Sequence, residues 1–365
     1  MKKLFFIAAI AGAALVSCTK NEVAPVAEQQ EITFAAPVVG PQTKAQYGEI
    51  GVNYNEAEHF GVYAVHTPAE LTTWAAGSLY MGTPVTAGQV AATTGLEVLK
   101  AAGENYWAPA TPYYWPKEGY LSFAAYSPID VTGTVTYDET GLSVEDHTVS
   151  TNTAEHVDFL YAPRIYNYQE STMNSTTKEE EAGDDDSKYK YDGVNILFEH
   201  AMSSIVFKVA RAADIHESTI ITLNSITLEK PYMKADFNET ITDGATYSAV
   251  PAWSNWTSAA DVVTYSTASV PLTKTLTEYV NNTDDDIILI PQTLTDDVKV
   301  VLNYDITTPG SHKINQVTKI QLNAHTPAWG MGTRYTYNIT IGMEEIIFDP
   351  AVTPWTDVVV PGITL

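Results

Sequence analysis

The residue with the clearest chemistry in this sequence is its single cysteine, Cys18. It follows two lysines and an apolar run at positions 4–16, and Ser17 places a small residue directly before the thiol. A run of that length is too short to span a bilayer, and its charged-then-apolar order is typical of a secretory signal. We therefore predict that residues 1–17 are a signal peptide and that Cys18 carries the acyl chains, palmitate included, of a lipoprotein.

A strand follows this cysteine after a polar spacer. Residues 18–30 contain the polar stretch TKNEVAPVAEQQ and read as a lipidated tether. Residues 32–39 then form one extended apolar run, in which Ile32, Phe34 and Val38 are the main apolar side chains. We interpret this run as a plug strand that the finished protein does without.

A bond that a protease could cut ends the same stretch. Lys44 is followed by Ala45, and this pair lies just beyond the apolar run. The prediction is that residues 31–44 are removed by cleavage between Lys44 and Ala45, and that downstream residues receive this strand or a replacement for it.

Residues that could support catalysis or bind metal are scattered. Asp184, Asp185 and Asp186 offer carboxylate oxygens in an acidic stretch, but the alternating ligand spacing of a calcium loop is missing. A solvated loop and a calcium site both remain open for it. No HExxH, GxSxG, P-loop or dinucleotide motif is present, so we expect no enzyme and no cofactor. The eight histidines show no ligand spacing: His59, His66, His147, His156, His200, His216, His312 and His325.

The charge balance excludes several partners. The 365 residues contain 19 Lys and Arg against 44 Asp and Glu, a net charge of −25. Such a surface repels nucleic acid and anionic membranes, so neither is expected as a partner. The 45% hydrophobic content still allows a large core.

Strand patterns dominate the rest of the chain. Alternation with Lys299, Asn303 and Asp305 gives the period of a half-buried strand to the apolar residues Val298, Val300, Leu302, Tyr304 and Ile306. Similar alternation recurs at 205–209 and 335–341. In the run 221–228 the apolar phase shifts at 224–225, which predicts a bulge or bend. No helical pattern longer than two or three turns is found, and these patterns favour an all-β fold.

The acidic, polar stretch 169–192 provides the best domain boundary. Dividing the chain there predicts an N-terminal β-sandwich at 31–190 and a C-terminal β-sandwich at 191–365.

An aromatic cluster admits two interpretations. Trp107, Tyr113, Tyr114 and Trp115 lie among prolines. They could stack on sugars, as in a cell-surface glycan-binding lipoprotein, or cap a sandwich core at its corner.

Several short runs follow one another along the chain. They are YYWP at 113–116, LSFAAYSP at 121–128, DFLYA at 158–162, FEHAMS at 198–203, LIPQ at 289–292, WGMGTRYTY at 329–337 and Trp355. Each is weak alone, but together with the lipobox and Lys44 they cover nearly the whole chain. Taken in this order, they resemble the fimbrillin family.

This resemblance implies two tandem transthyretin-like β-sandwich domains in a subunit of a type V pilus. The precursor would be delivered to the outer membrane as a lipoprotein, cut after its first strand by a maturation protease, and polymerised by strand exchange on the cell surface. Its partners would be copies of itself together with accessory tip and anchor pilins. The best-known members are cut after arginine, whereas the first arginine here is Arg164. A lysine-tolerant protease or a different cleavage residue is therefore required.

The C-terminal run 355–365, WTDVVVPGITL, is the candidate donor strand. Val358 and Val360, then Ile363 and Leu365, have strand spacing. The same run could instead be an ordinary last strand of its own domain. Because a free tail is what a stalk subunit needs, we favour a stalk role over a tip role.

Overall fold

The fold is that of a computed structural model, which describes residues 30–35, 37–39, 59–70, 77–84, 92–103, 106–169, 193–242, 248–266, 269–278, 287–310, 312–343 and 346–354. Several residues singled out in the sequence lie outside this described part. They are the lipidation site Cys18, the cleavage pair Lys44 and Ala45, the acidic residues Asp184, Asp185 and Asp186, Trp355, and the donor residues Val358, Val360, Ile363 and Leu365.

Strands make up most of the described residues, and their bounds follow in chain order. The first eleven are β1 (Val38–Val39), β2 (Phe60–Thr67), β3 (Ser78–Met81), β4 (Thr83–Pro84), β5 (Ala92–Thr94), β6 (Leu96–Lys100), β7 (Trp107–Pro109), β8 (Tyr120–Ser127), β9 (Thr134–Asp138), β10 (Gly141–Thr148) and β11 (Leu160–Tyr168). The next eight are β12 (Leu197–His200), β13 (Ser203–Arg211), β14 (Ile220–Glu229), β15 (Tyr232–Thr242), β16 (Ser248–Ala259), β17 (Val262–Ser266), β18 (Val270–Pro271) and β19 (Thr277–Glu278). The last seven are β20 (Ile287–Leu289), β21 (Gln292–Thr293), β22 (Lys299–Thr308), β23 (His312–Gln321), β24 (Ala328–Trp329), β25 (Thr333–Ile341) and β26 (Ile346–Pro354).

The strands form four main sheets. The largest has the order β1-β12-β11-β8-β2-β6-β7, with β3 also paired to β2, and a six-stranded sheet has the order β16-β15-β10-β9-β5-β4. A five-stranded sheet has the order β19-β13-β25-β26 with β20 on β13, and a second has the order β17-β14-β22-β23 with β18 on β14. The all-β fold class predicted from the sequence is confirmed. No helix in the described part of the chain is long and apolar enough to cross a bilayer.

Aromatic side chains join the sheets in pairs. Tyr63 of the largest sheet stacks on Tyr137 of the six-stranded sheet, with ring centroids 4.5 Å apart. Phe207 of one five-stranded sheet meets the edge of Tyr265 from the other at 5.1 Å. Each pair of sheets therefore encloses a core in the manner of a β-sandwich.

The alternation read from the sequence matches the strands that form. On β22 the residues Val300, Leu302 and Tyr304 are buried, because they face the opposing sheet. The predicted bulge is also confirmed, since the register of β14 against β22 shifts between Leu223 and Ser225.

Sheet membership does not follow the expected division at residues 190 and 191. Strand β12 pairs with β11 in the largest sheet, and the β15–β16 hairpin pairs with β10 in the six-stranded sheet. The expected domain boundary stays a prediction about folding units. Two of the sheets contain strands from both sides of it.

Candidate functional site

The candidate site is the place occupied by residues 30–35 and 37–39, called here the first segment. On one side, Ile32 N donates to Tyr113 O at 2.7 Å, and Phe34 N donates to Trp107 O at 2.8 Å. On the other side, Ala35 N donates to Val194 O at 3.1 Å. In three further hydrogen bonds the segment accepts: Trp107 N donates to Phe34 O, Trp115 N to Gln30 O, and Val194 N to Thr33 O. The first segment is thus paired along both of its edges.

This double pairing closes the largest sheet into a ring. Strand β7 is the last strand at one end of that sheet. At the other end, β12 is the second strand and lies next to β1. Phe34 bridges Trp107 at the start of β7 and, on its opposite side, Val194 just before β12. Val38 and Val39, as β1, continue this contact by pairing in parallel with β12. The first segment therefore lies between two strand edges that are not paired with each other in the described sheets.

The interior of the ring is a separate apolar core. Ile32 and Phe34 are both fully buried in it. The Phe34 ring meets the edges of Phe60 and Phe123 at 5.7 and 5.9 Å, so it packs on β2 and β8 in the middle of the sheet. Edge-to-face geometry at this distance is favourable for aromatic rings. The segment thus contributes side chains to the core as well as backbone bonds to the ring.

Gly193 explains how the backbone comes so close on the β12 side. An ideal Cβ at this position would lie 2.4 Å from the Thr33 carbonyl oxygen and 2.6 Å from Phe34 N. Any side chain would therefore push the first segment away from the bond between Val194 and Thr33. Sequence reasoning missed Gly193 and Val194, although a glycine at the start of an apolar run is a known signal of close backbone approach.

The aromatic cluster predicted from the sequence separates into two parts. Trp107 and Trp115 are buried beside the first segment, whereas Tyr114 is 43% exposed. Tyr113 lies beside Tyr80 with ring centroids 6.1 Å apart, and Tyr80 donates a hydrogen bond to the Tyr114 carbonyl. Burial, and secondarily Tyr113, raises the pKa of Tyr80. Only the tyrosines could offer a ring face to a sugar, because both tryptophans belong to the core.

One pair of titratable groups also comes together elsewhere in the described residues. Within the described residues no group of three or more His, Cys, Asp or Glu side chains could hold a metal ion. His200 Nδ1 lies 2.5 Å from Asp158 Oδ2. Burial raises the pKa of Asp158, and the bond to His200 opposes that rise.

Comparison with known proteins gives a family and a shared fold. A family model described as fimbrillin-like matches residues 43–355. Among solved structures, the chain is similar to a fimbrial protein from Bacteroides vulgatus ATCC 8482, with 16% identity and a TM-score of 0.55 over 89% of this chain and 99% of that one. It is also similar to the tip fimbrial protein Mfa3 from Porphyromonas gingivalis, with 9% identity and a TM-score of 0.37 over 82% of this chain and 94% of that one. No curated protein matches the chain significantly.

Proposed function

The chain belongs to the fimbrillin-like family, a family of structural fimbrial proteins, and from this premise we propose that it is a stalk subunit of a type V pilus that assembles by donor-strand exchange. The precursor is exported as a lipoprotein and held in the outer membrane through Cys18. Cleavage between Lys44 and Ala45 then frees the first segment, and the mature subunit joins an extracellular pilus for adhesion and colonisation.

One observation carries this proposal: the first segment closes a ring whose two flanking strands, β7 and β12, are not paired with each other in the described sheets. If it leaves, the six backbone hydrogen bonds to residues 107–115 and 194 are lost, and an apolar interior opens along a strand-shaped gap. A stable protein does not leave such edges open, so an extended segment from another molecule is the natural replacement.

The C-terminal tail of a neighbouring copy supplies this replacement. Its residues Val358, Val360, Ile363 and Leu365 have the spacing of a strand that buries one face. Burying four such side chains contributes roughly 6–12 kcal/mol before the costs of association. Each ladder hydrogen bond adds about 0.5–1.5 kcal/mol. A head-to-tail contact of this kind does not close on itself, and it therefore grows a filament.

Other assembly partners follow from the same role. Tip and anchor pilins would end the filament at its two ends, and a protease able to cut after lysine would start the exchange. The tail is the reason for preferring a stalk position to a tip position, because a tip subunit needs no donor strand for a further copy.

The test starts from the full chain treated with a trypsin-like protease. We expect a stable core that begins at Ala45, loses the first segment as subunits add, and forms a ladder of high-mass species on native gels. The variant Lys44→Gln should stay uncut at this position and monomeric. A chain that lacks residues 355–365 should be cut normally but fail to polymerise.

Two outcomes would contradict donor-strand exchange. One is a core that begins at Ala45, retains the first segment and remains monomeric at every concentration. The other is polymerisation that is unaffected by removing residues 355–365. A chain that resists cutting and binds oligosaccharide would instead support the glycan-binding alternative, with Tyr113 and Tyr114 as its contact residues.

A further inference from the structure

Strand β23 has an open edge that the proposed exchange does not use. It lies at the end of its sheet, and its ten residues pair one-to-one with β22 without a bulge. No other described strand pairs with it. Since neighbouring residues of a strand direct their backbone groups to alternate sides, about half of its N–H and C=O groups point away from the sheet.

Both faces of this strand are also exposed. Eight of its ten residues are exposed, and the remaining two, Thr318 and Ile320, are half-buried. Ile314 is 52% exposed and Val317 is 56% exposed, and their odd spacing places them on opposite faces. An exposed edge strand that carries β-branched apolar residues is a template for pairing with another strand.

The usual protection of such an edge is missing here. The strand has neither a proline nor a bulge, and its two lysines are directed back over the sheet. Lys313 Nζ lies 2.8 Å from Asp305 on β22, and Lys319 Nζ lies 2.8 Å from Glu229 on β14, two strands away. Because these ion pairs hold the ammonium groups inward, the lysines do not block the outer edge.

Charge identifies the partner as a second copy of this chain. Two molecules with a net charge of −25 repel each other over most of their surfaces. Residues 312–321 contain no carboxylate, and their lysines neutralise two nearby acids. This edge is therefore a place where two copies can approach with little repulsion.

We propose that the outer edges of two β23 strands, one from each of two copies, pair antiparallel about a two-fold axis. Two residues that lie opposite each other across such a pair have their side chains on the same face of the joined sheet. Because side chains alternate along a strand, the numbers of these two residues differ by an even amount. Centring the axis on Val317 places Val317 against its own copy and Ile314 against Ile320. It also separates the lysines, because Lys319 then lies beside Asn315. Centring the axis on Gln316 would instead oppose Lys313 and Lys319.

The pair is weak for isolated molecules and becomes strong for filaments. A single added strand buries less than the roughly 1,200–2,000 Å² of a standard interface, so affinities of about 10 µM to 1 mM are expected. Stalk subunits repeat along a pilus, and repeated weak contacts raise the total affinity steeply. Side-by-side bundling of pili is the consequence.

The test uses the full, uncut chain, in which donor-strand exchange has not started. Sedimentation velocity between about 10 µM and 1 mM should show a monomer–dimer equilibrium. Val317→Lys and Ile314→Lys should each weaken the dimer by about ten-fold or more, since two copies then bring charges into the apolar pairs. Val262→Lys is the matched control: Val262 is 45% exposed on β17, the opposite edge of the same sheet.

A cysteine experiment tests the register. In a Cys18→Ser background, which removes the only native thiol, Val317→Cys should give disulfide-linked dimers and Val262→Cys should not. The pairing is overturned if the chain stays monomeric to about 1 mM without cross-linking at position 317, or if Val262→Lys weakens the dimer as much as Val317→Lys. It is also overturned if the β23 amides that point away from β22 resist hydrogen exchange in the monomer, because the edge would then be covered by the chain's own residues.

Discussion

At the scale of single residues, His147 shows how the environment controls a side chain. It is buried on β10, with the rings of Phe159 and Trp253 at 5.7 and 5.4 Å. Nδ1 lies 3.1 Å from the Thr132 carbonyl, to which it can donate, and Nε2 has no hydrogen-bond partner among the described residues. A proton on Nε2 would place an unpartnered charge among aromatic rings. Burial therefore lowers the pKa of His147 to about 4.

Acid should destabilise the protein through this residue. Above pH 6.5 the histidine is neutral in both folded and unfolded chains, and its titration contributes nothing to the pH dependence. As the pH falls below 6.5, the unfolded chain takes up a proton that the folded chain does not, so stability is lost. The loss is about 2 kcal/mol by pH 5 and levels off below pH 4 at about 3 kcal/mol. His147→Phe should remove this part of the loss, as urea unfolding at pH 7 and pH 5 would measure.

The exposed His216 provides the control for this prediction. His216→Phe should leave the difference in unfolding free energy between pH 7 and pH 5 almost as it is in the parent protein. An equal change in both variants would show that burial of His147 is not the cause.

Phe34 is the side chain that anchors the first segment in the apolar core. It is fully buried between Phe60 and Phe123. Phe34→Ala should lower the free energy of unfolding by about 3–5 kcal/mol, because it leaves a cavity inside the ring. Val157→Ala, at a position that is 52% exposed, should cost little. Urea unfolding of both variants measures the difference, and near-equal values would show that the first segment does not support the folded core.

At the scale of elements, the first segment is held from both sides rather than by its own regular structure. Its first residues, 30–35, pair with their neighbours through isolated bridges at Glu31 and Phe34. Only β1 forms a regular strand pairing, with β12. Such an element has few local contacts and depends on two edges that other strands provide. This is the property that an exchangeable strand requires, since its removal leaves its neighbours paired on their other sides.

Gly193 should control how firmly this element is held. Gly193→Ala places a Cβ against the Thr33 carbonyl and should weaken the bond between Val194 and Thr33. Hydrogen exchange at residues 32–35 should become faster, and a cut precursor should exchange its first segment sooner. Gly330→Ala is the matched control, because the nearest atom to its Cβ is 3.5 Å away. Unchanged exchange at residues 32–35 in Gly193→Ala would contradict this role of the glycine.

In the whole molecule, polar side chains join β15 and β16 of the six-stranded sheet to residues in or next to β12 and β21. Trp253 Nε1 donates to Ala201 O at 2.7 Å, and Trp256 Nε1 donates to Pro291 O at 2.8 Å. The Gln292 side chain accepts from Tyr232 N and donates to Tyr232 O, so it pairs with that residue as a strand would. One apolar cluster also continues from Tyr63 in the first half to later strands. Residues before and after position 190 therefore share one apolar core.

The shared core predicts a single cooperative unfolding transition. Strands β15 and β16 complete a sheet of the first half although they follow residue 191 in the chain. Neither half should therefore retain its structure when the other unfolds. Scanning calorimetry should give one peak with equal calorimetric and van't Hoff enthalpies. Two resolved peaks would instead support the division at residues 190 and 191.

Local patterns in the sequence were enough to predict the class of fold and several of its details. Alternating apolar residues predicted β22 and β25, and the phase shift at residues 224–225 predicted the bulge in β14. The ordered runs also predicted the family that the comparison identifies. These features are local, because the side chains of a strand alternate whatever its partner is.

Which residues contact one another became known only from the folded chain. Nothing near Phe34 in the chain indicates that it joins Trp107 to Val194, nor that Trp107 is buried while Tyr114 is exposed. Nothing in the sequence around His147 shows that it lies between Phe159 and Trp253. Strand pairing and burial depend on contacts between residues far apart in the chain, and a local pattern carries no record of them.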